Sequence, residues 1–84
     1  MENKIKLPMI DVQKTGDNIN RLRKEKDLPV LKIANICGFE NATAVYKWIN
    51  GKCLPKVDHL VILAHLFGVT VDELLCTYDV EVTL

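Results

Sequence analysis

The chain has 84 residues, of which 49% are hydrophobic and 26% are charged, and its formal net charge is zero. This composition predicts one folded domain and argues against a disordered chain. Because the sequence has no apolar run of membrane-spanning length and no signal-peptide core near its start, we expect a cytoplasmic protein without a membrane partner.

The charges are unevenly distributed along the chain. Residues 20–56 carry eight Lys and Arg against three Asp and Glu, whereas residues 57–84 carry five acidic side chains and no Lys or Arg. A basic central segment can attract phosphate groups although the whole chain is neutral. An ordinary solvated surface is the alternative interpretation.

The two ends differ from the middle of the chain. Residues 1–14 are predicted to form an N-terminal arm, whose apolar part is interrupted by Pro8 and would suit an edge strand. Residues 77–84 alternate apolar and polar side chains, which is a strand pattern, and form the C-terminal tail. We hypothesise that the two segments pair with each other or across a dimer.

The segment between them, residues 15–76, is predicted to be a helical domain. A first helix over 17–26 ends near Asp27, which tolerates a left-handed backbone. A second, short helix contains Ile33 and Ala34 and is closed by Gly38, which can adopt a positive φ.

A third helix is predicted from Asn41, a good N-cap, to Asn50, with Gly51 after it. Helical periodicity separates its two faces. The apolar face carries Val45, Trp48 and Ile49, and the polar face carries Thr43, Tyr46, Lys47 and Asn50. We therefore expect one face to pack in the core and the other to be exposed.

The last two helices have clear start and stop signals. Pro55 suits the beginning of the fourth helix and Gly68 its end. Thr70 and Glu73 have the spacing of a capping box, which predicts the start of a fifth helix.

Five segments in this order and spacing, NINRLRKEKDL, IANICGF, AVYKW, GKCLP and HLVILAHLFGVTVDELL, resemble the lambda-repressor-like, Cro-type helix-turn-helix family, also called XRE-type regulators. The resemblance covers residues 15–75. It implies an all-α, five-helix DNA-binding domain, to which the terminal patterns described above add a short extended arm at each end. It also implies a transcriptional repressor that reads the major groove of an operator with helix 42–49 and binds double-stranded DNA as a homodimer.

The same resemblance supplies candidate DNA contacts. Those to bases and neighbouring groups are Asn41, Thr43, Tyr46, Lys47 and Asn50, and those to the phosphate backbone are Lys52, Lys56 and Arg23. Three alternatives without a DNA contact remain open: Tyr46 as a half-buried surface aromatic, Trp48 as a core residue, and Arg23 on a solvated helix face.

The sequence also departs from the family pattern. Pro29 and Val30 stand where the family usually has Ser or Thr followed by Gln. The phosphate contact that this Gln usually makes is therefore lost. Lys56 replaces the Ser that commonly caps the fourth helix, at a cost of about 1 kcal/mol. The stretch from Gly38 to Val45 is one residue longer than usual, which shifts the reading register. A helix-turn-helix protein-interaction module, such as an antitoxin or phage accessory factor, is therefore the alternative function.

No site for other chemistry is expected. The four glycines form no phosphate-binding loop or dinucleotide fingerprint, and no catalytic motif is present. The three cysteines are widely spaced, which favours reduced thiols over a zinc site, and Cys37 is expected to act as a small core hydrophobe. We therefore expect no enzymatic activity, no cofactor and no small-molecule ligand.

Overall fold

The computed structural model describes residues 3–84. Within these residues the elements in chain order are β1 (Lys4–Ile10), α1 (Val12–Glu25), α2 (Val30–Ile36), α3 (Thr43–Ile49), α4 (Val57–Phe67), α5 (Val71–Leu74) and β2 (Thr77–Thr83). The helices form a bundle around one hydrophobic core, and the strands pair as a two-stranded sheet. The five predicted helices are present, but the expected all-α class with extended arms needs correction, because the terminal segments hydrogen-bond to each other as a small sheet.

Every helix of the bundle contributes apolar side chains to the core. The buried residues are Ile19 and Leu22 of α1, Val30, Ile33 and Ala34 of α2, Val45 and Trp48 of α3, Leu60, Leu63, Ala64 and Phe67 of α4, and Leu74 of α5. Burial of this apolar surface is the main favourable contribution to folding. Because this core is small, each of its side chains supplies a large share of the buried apolar surface that stabilises the fold.

Helix α1 begins earlier than predicted. Its N-cap is Asp11, whose carboxylate accepts a hydrogen bond from the Lys14 amide at 2.9 Å. The predicted start was residue 17. The helix in fact begins upstream and continues through Gly16, a poor helix former, because its packing against α3 outweighs that weak local preference. The left-handed residue after its end is Asp27, with φ 54°, as predicted.

The remaining helix boundaries follow local signals closely. Gly38, Gly51 and Gly68 all have positive φ beyond the ends of their helices. The Thr70 hydroxyl accepts from the Glu73 amide at 3.1 Å, and the Glu73 carboxylate accepts from the Thr70 amide at 3.2 Å, so the predicted capping box is confirmed.

The two strands form an antiparallel ribbon, hereafter the terminal ribbon (residues 4–10 and 77–83). Its register pairs Lys4 with Thr83 and Ile10 with Thr77. The hypothesis that the two ends pair with each other is confirmed. At the base of the ribbon the Asp11 amide donates to the Cys76 carbonyl at 2.8 Å, which joins the ribbon to the bundle. The described chain measures 54 × 23 × 19 Å along its principal axes, so it is elongated.

Candidate nucleic-acid interface

The turn between α2 and α3 sets the direction of α3. Gly38 has φ 88°, and its amide donates to the Asn35 carbonyl at 3.1 Å. The next amide, that of Phe39, donates to the Ala34 carbonyl at 2.8 Å, so the backbone reverses within one left-handed residue. The Phe39 ring then packs edge-on against Trp48, with ring centroids 5.8 Å apart.

The inner face of α3 is held by the core. Val45 is fully buried and Trp48 is 4% exposed, as predicted for core residues. The imidazole of His59 completes this aromatic cluster, 4.9 Å from Phe39 and 5.7 Å from Trp48 between ring centroids. The helix cannot rotate without exposing these side chains, so its outer face has a fixed orientation.

A close approach between α1 and α3 adds a second constraint that the sequence analysis missed. A Cβ atom on Gly16 would lie 2.2 Å from the Trp48 carbonyl oxygen and 2.9 Å from that of Ile49. Only glycine allows the two backbones to meet this closely. A glycine inside an otherwise regular amphipathic helix was the available signal, because glycine destabilises a helix interior.

The outer face of α3 carries the polar side chains that the sequence analysis assigned to it. Thr43, Tyr46, Lys47 and Asn50 are all exposed, and the fractional exposure of Tyr46 is 51%. This exposure is compatible both with base contact and with the alternative of a half-buried surface aromatic. The helix itself contains no acidic residue. This face can present hydrogen-bonding groups and one positive charge to a partner.

Asn41 lies one step outside the position predicted for it. Helix α3 begins at Thr43 with Ala42 at the N-cap, and no side chain caps it from that position. The Asn41 side-chain oxygen instead accepts from the Thr43 amide at 3.0 Å. The residue therefore supports the first turn of α3 from two positions upstream.

A groove of about 420 Å³ brings four of the candidate residues together. They are Asn41, Thr43, Lys47 and Lys56. Other residues that line the groove are Phe39, Ala44, Trp48, Cys53, Leu54 and His59. The groove thus has an aromatic wall behind two lysines, and among residues 3–84 no carboxylate lies within ion-pair distance of either lysine. Such a site is suited to anionic groups.

The other candidates lie outside that groove. Tyr46 and Asn50 are on the same helix face, and Lys52 is exposed in the following loop. Arg23 is half-buried, and its Nε donates to the Asn20 side chain at 2.8 Å while its Nη1 donates to the Leu28 carbonyl at 3.4 Å. The structure therefore does not bring Arg23 together with the other candidates.

The α4 N-terminus beside the groove lacks a side-chain cap. Lys56 occupies the N-cap position of α4 and makes no capping hydrogen bond, as expected from the sequence. The free backbone N–H groups of the first turn of α4 and the Lys56 ammonium group can both contact an anion at this helix start.

The cysteines differ in environment. Cys37 packs against the core, and burial raises the pKa of its thiol above the usual 9.0, an effect that the negative charge of Asp58 increases. Cys53 is exposed at the groove. Within the described residues, no cluster of His, Cys, Asp and Glu is arranged to hold a metal ion. In the same part of the chain, every helix is too short or too polar to cross a bilayer.

Comparison with known proteins identifies similar sequences and folds. Residues 19–74 match the family model described as Helix-turn-helix. The crystal structure of the DNA-binding domain of BldD superposes with a TM-score of 0.64 at 24% identity, covering 79% of this chain and 94% of that one. The S. venezulae BldD DNA-binding domain gives the same TM-score and identity, covering 79% of this chain and 97% of its own. No curated protein sequence gives a significant match. The two structural likenesses support the fold of the bundle.

Proposed function

The chain belongs to the XRE-type helix-turn-helix family of DNA-binding regulators, and we propose that it represses transcription by reading an operator in the major groove with α3. The observation that carries this proposal is the rigidly held, exposed polar face of α3 beside the groove that contains Lys47 and Lys56. A short helix with such a face fits the major groove of B-DNA.

We assign base reading to the exposed side chains of α3 and of the residues at its two ends. Thr43 can donate or accept a hydrogen bond and can contact a thymine methyl group, and Lys47 can reach a guanine edge. Tyr46 offers a hydroxyl and an aromatic ring on the same exposed face. Asn41 and Asn50 stand at the two ends of α3, where their amides can bond bases or sugars.

We assign phosphate contacts to the lysines after α3. Lys52 and Lys56 are exposed, and Lys56 stands at the uncapped start of α4. Phosphate contacts fix the position of a protein on DNA without reading its sequence. They make binding depend steeply on salt concentration. Arg23 would join this set only if it exchanged its internal hydrogen bonds for a phosphate.

Repression is the regulatory effect that we propose, because occupation of an operator is by itself enough to block a promoter. The mechanism needs no catalytic step and no cofactor, since recognition uses only non-covalent contacts. We place the protein in the cytoplasm, where its operator would be accessible. One short helix reads few bases, so we propose a homodimer on a two-fold operator.

The test is selection of binding sites by the full chain from a random duplex pool at low salt. We expect one palindrome to be enriched, with half-sites about one helical turn apart. Replacing Lys47 with Ala should weaken specific binding by about 1 to 3 kcal/mol, and replacing Lys52 should lower the salt slope by about 1. Lys6→Ala in the terminal ribbon removes the same charge elsewhere and should leave both unchanged. An unenriched pool would refute the proposal.

One observation favours a second candidate, a helix-turn-helix protein-interaction module. An apolar groove of about 360 Å³ lies between α2 and α4 and is lined by Ile36, Val61, Ile62, His65 and Leu66. Exposed apolar side chains at a groove suit a protein partner. The selection experiment discriminates between the two functions, because this module would recover no DNA sequence while keeping its fold.

A further inference from the structure

The terminal ribbon has one face that is apolar from end to end. Cross-strand pairs in an antiparallel sheet project to the same side. The three pairs that share this face are Ile5 with Val82, Leu7 with Val80 and Met9 with Tyr78, and Leu84 continues it beyond the last pair. This set of seven side chains is called the ribbon face below.

The helical bundle leaves the ribbon face open. In the described part of the chain, all of its side chains except the half-buried Val82 expose between 36% and 76% of their surface. The hydrogen bonds that link the ribbon to the bundle lie at its base, around Asp11 and Cys76. A two-stranded sheet with no layer against it is marginally stable in water. The face therefore lacks the covering layer that such a ribbon needs.

We infer that the ribbon face packs against the same face of a second copy of this chain and so forms the interface of a homodimer. The chemistry of the ribbon favours this occupant. The ribbon face carries no charged side chain, so it offers nothing to an anionic or cationic partner. Two flat apolar sheets stack about 10 Å apart with interdigitating side chains. An identical face meets that requirement by symmetry.

The opposite face of the ribbon is suited to water. It carries Lys4 and Lys6 on β1 and Asp79 and Glu81 on β2, so its charges balance. The Lys4 ammonium lies 3.6 Å from the Glu81 carboxylate, and both side chains are more than half exposed. This polar face has no excess positive charge that would draw the ribbon to DNA or to an anionic membrane. The two faces together indicate a sheet that is covered on one side only.

The area is sufficient for a weak, specific dimer. Six of the seven residues are between 36% and 76% exposed, so the patch is on the order of several hundred Å², the size of the largest apolar patch on a typical monomer. Two such faces together are on the order of 1,000 Å², near the lower limit of specific protein interfaces. We therefore expect a dissociation constant on the order of micromolar, which is typical of a small interface with few anchors.

The biological use of this dimer rests on the proposed function, since an operator with two half-sites requires two copies of α3. The interface itself can be measured without DNA. A failure of DNA recognition would leave the dimer intact, and a failure of dimerisation would leave binding to a single half-site intact. The two proposals can therefore fail separately.

The experiment is sedimentation equilibrium of the full chain without DNA over a wide concentration range. The test variant combines Leu7→Glu with Val80→Lys, which places an opposite-charge pair on directly opposed residues of the ribbon face. Such a pair is compatible with the ribbon but cannot be buried in an apolar interface. We expect the wild type to dimerise and this variant to weaken dimerisation by at least about 30-fold, as for loss of a central anchor.

The matched control exchanges charges on the other face. Combining Lys6→Glu with Glu81→Lys reverses a directly opposed pair and should change the dimer dissociation constant by less than about threefold, since exposed pairs contribute little. Helical circular dichroism verifies that the bundle is folded in each protein. A wild-type chain that stays monomeric at millimolar concentration would overturn the inference. So would a dimer that survives in the ribbon-face variant but is lost on Val61→Glu in the α2 and α4 groove.

Discussion

The helical bundle and the terminal ribbon are stabilised in different ways. In the bundle, every helix buries apolar side chains against the others, and Ile19, Ile33 and Leu63 are completely inaccessible to water. In the ribbon, backbone hydrogen bonds join the strands, but most side chains remain exposed. Burial supplies most of the stability of a small fold. The bundle therefore contains what it needs to fold, whereas the ribbon needs the bundle to hold its ends and a covering layer for one face.

A buried threonine adds a second connection between the two regions, beside the hydrogen bond from the Asp11 amide to the Cys76 carbonyl. Thr15 on α1 is fully buried, and its hydroxyl accepts from the Cys76 amide at 3.0 Å, just before β2 begins. The Asn18 side chain adds donors to the Glu73 and Leu74 carbonyls at 3.1 and 3.0 Å. The base of the ribbon is thus fixed to α1 and α5, while the rest of the ribbon is not packed in this way. This difference predicts where substitutions will act.

The largest expected effect is at Gly16 in the bundle. Gly16→Ala places a Cβ against the carbonyl oxygens of α3, and backbone atoms cannot move away as a flexible side chain can. We expect a loss of about 3 kcal/mol in the free energy of unfolding, measured with urea. Gly38→Ala is the control, since its Cβ meets nothing within 4 Å and only the positive φ costs energy, about 1 kcal/mol. Equal losses in the two variants would contradict the close approach of α1 and α3.

The next effect is at the junction. Thr15→Val keeps the shape of the side chain but leaves the Cys76 amide without its acceptor, at a cost of about 2 kcal/mol. Amide exchange should accelerate in β2 more than in α3, because α3 keeps its own contacts. Thr15→Ser retains the hydroxyl and should keep the protection of β2. If exchange rose uniformly in Thr15→Val, the hydroxyl would not be the specific link to the ribbon.

A smaller effect distinguishes capping in the bundle from an exposed threonine in the ribbon. Thr70→Ala removes the capping box of α5 and should cost about 1 kcal/mol. Thr77→Ala, at an exposed position of β2, should change the free energy of unfolding by less than about 0.5 kcal/mol. Thermal unfolding of both variants checks the difference, and a larger loss from Thr77 would mean that the ribbon contributes more to stability than its exposure indicates.

The smallest perturbation is chemical labelling of the thiols. Because burial and Asp58 raise the pKa of Cys37 above 9.0, its reactive thiolate is scarce at neutral pH. We expect a thiol reagent to label the exposed Cys53 first, and labelling of Cys37 to be slower and to keep increasing with pH beyond 9.0, because its thiolate fraction rises until the raised pKa is reached. Mass spectrometry of partially labelled protein measures the order. Equal rates at neutral pH would show that the α2 end of the bundle opens readily.

Local signals in the sequence predicted the bundle well. The capping box of Thr70, the glycines after α2, α3 and α4 and the two faces of α3 each depend on a few neighbouring residues, and the structure confirms them. The start of α1 was wrong because the helix continues through Gly16, whose role depends on α3. Helix α3 begins at Thr43, one residue after the predicted start, because a short bend stabilised by the Asn41 side chain precedes it.

The parts that the sequence could not supply are contacts between distant segments. From the charge pattern alone, Arg23 is one of several basic side chains that could contact phosphate. In the structure its guanidinium group donates hydrogen bonds to Asn20 and Leu28 instead. The grouping of Asn41, Thr43, Lys47 and Lys56 around one groove requires the packing of α4 against the turn before α3. The alternation of residues 77–84 and the apolar stretch around Pro8 indicated strands, but periodicity alone cannot choose between pairing of the two ends and pairing across a dimer.

The register of the terminal ribbon has a consequence for how the molecule forms. Lys4 pairs with Thr83, so the strands come from opposite ends of the sequence. Closing so long a loop is entropically costly until the helices have already brought both ends together. We therefore expect the ribbon to form after the helices have packed. During synthesis β1 leaves the ribosome before β2, so its apolar side chains have no partner strand until the helices have formed.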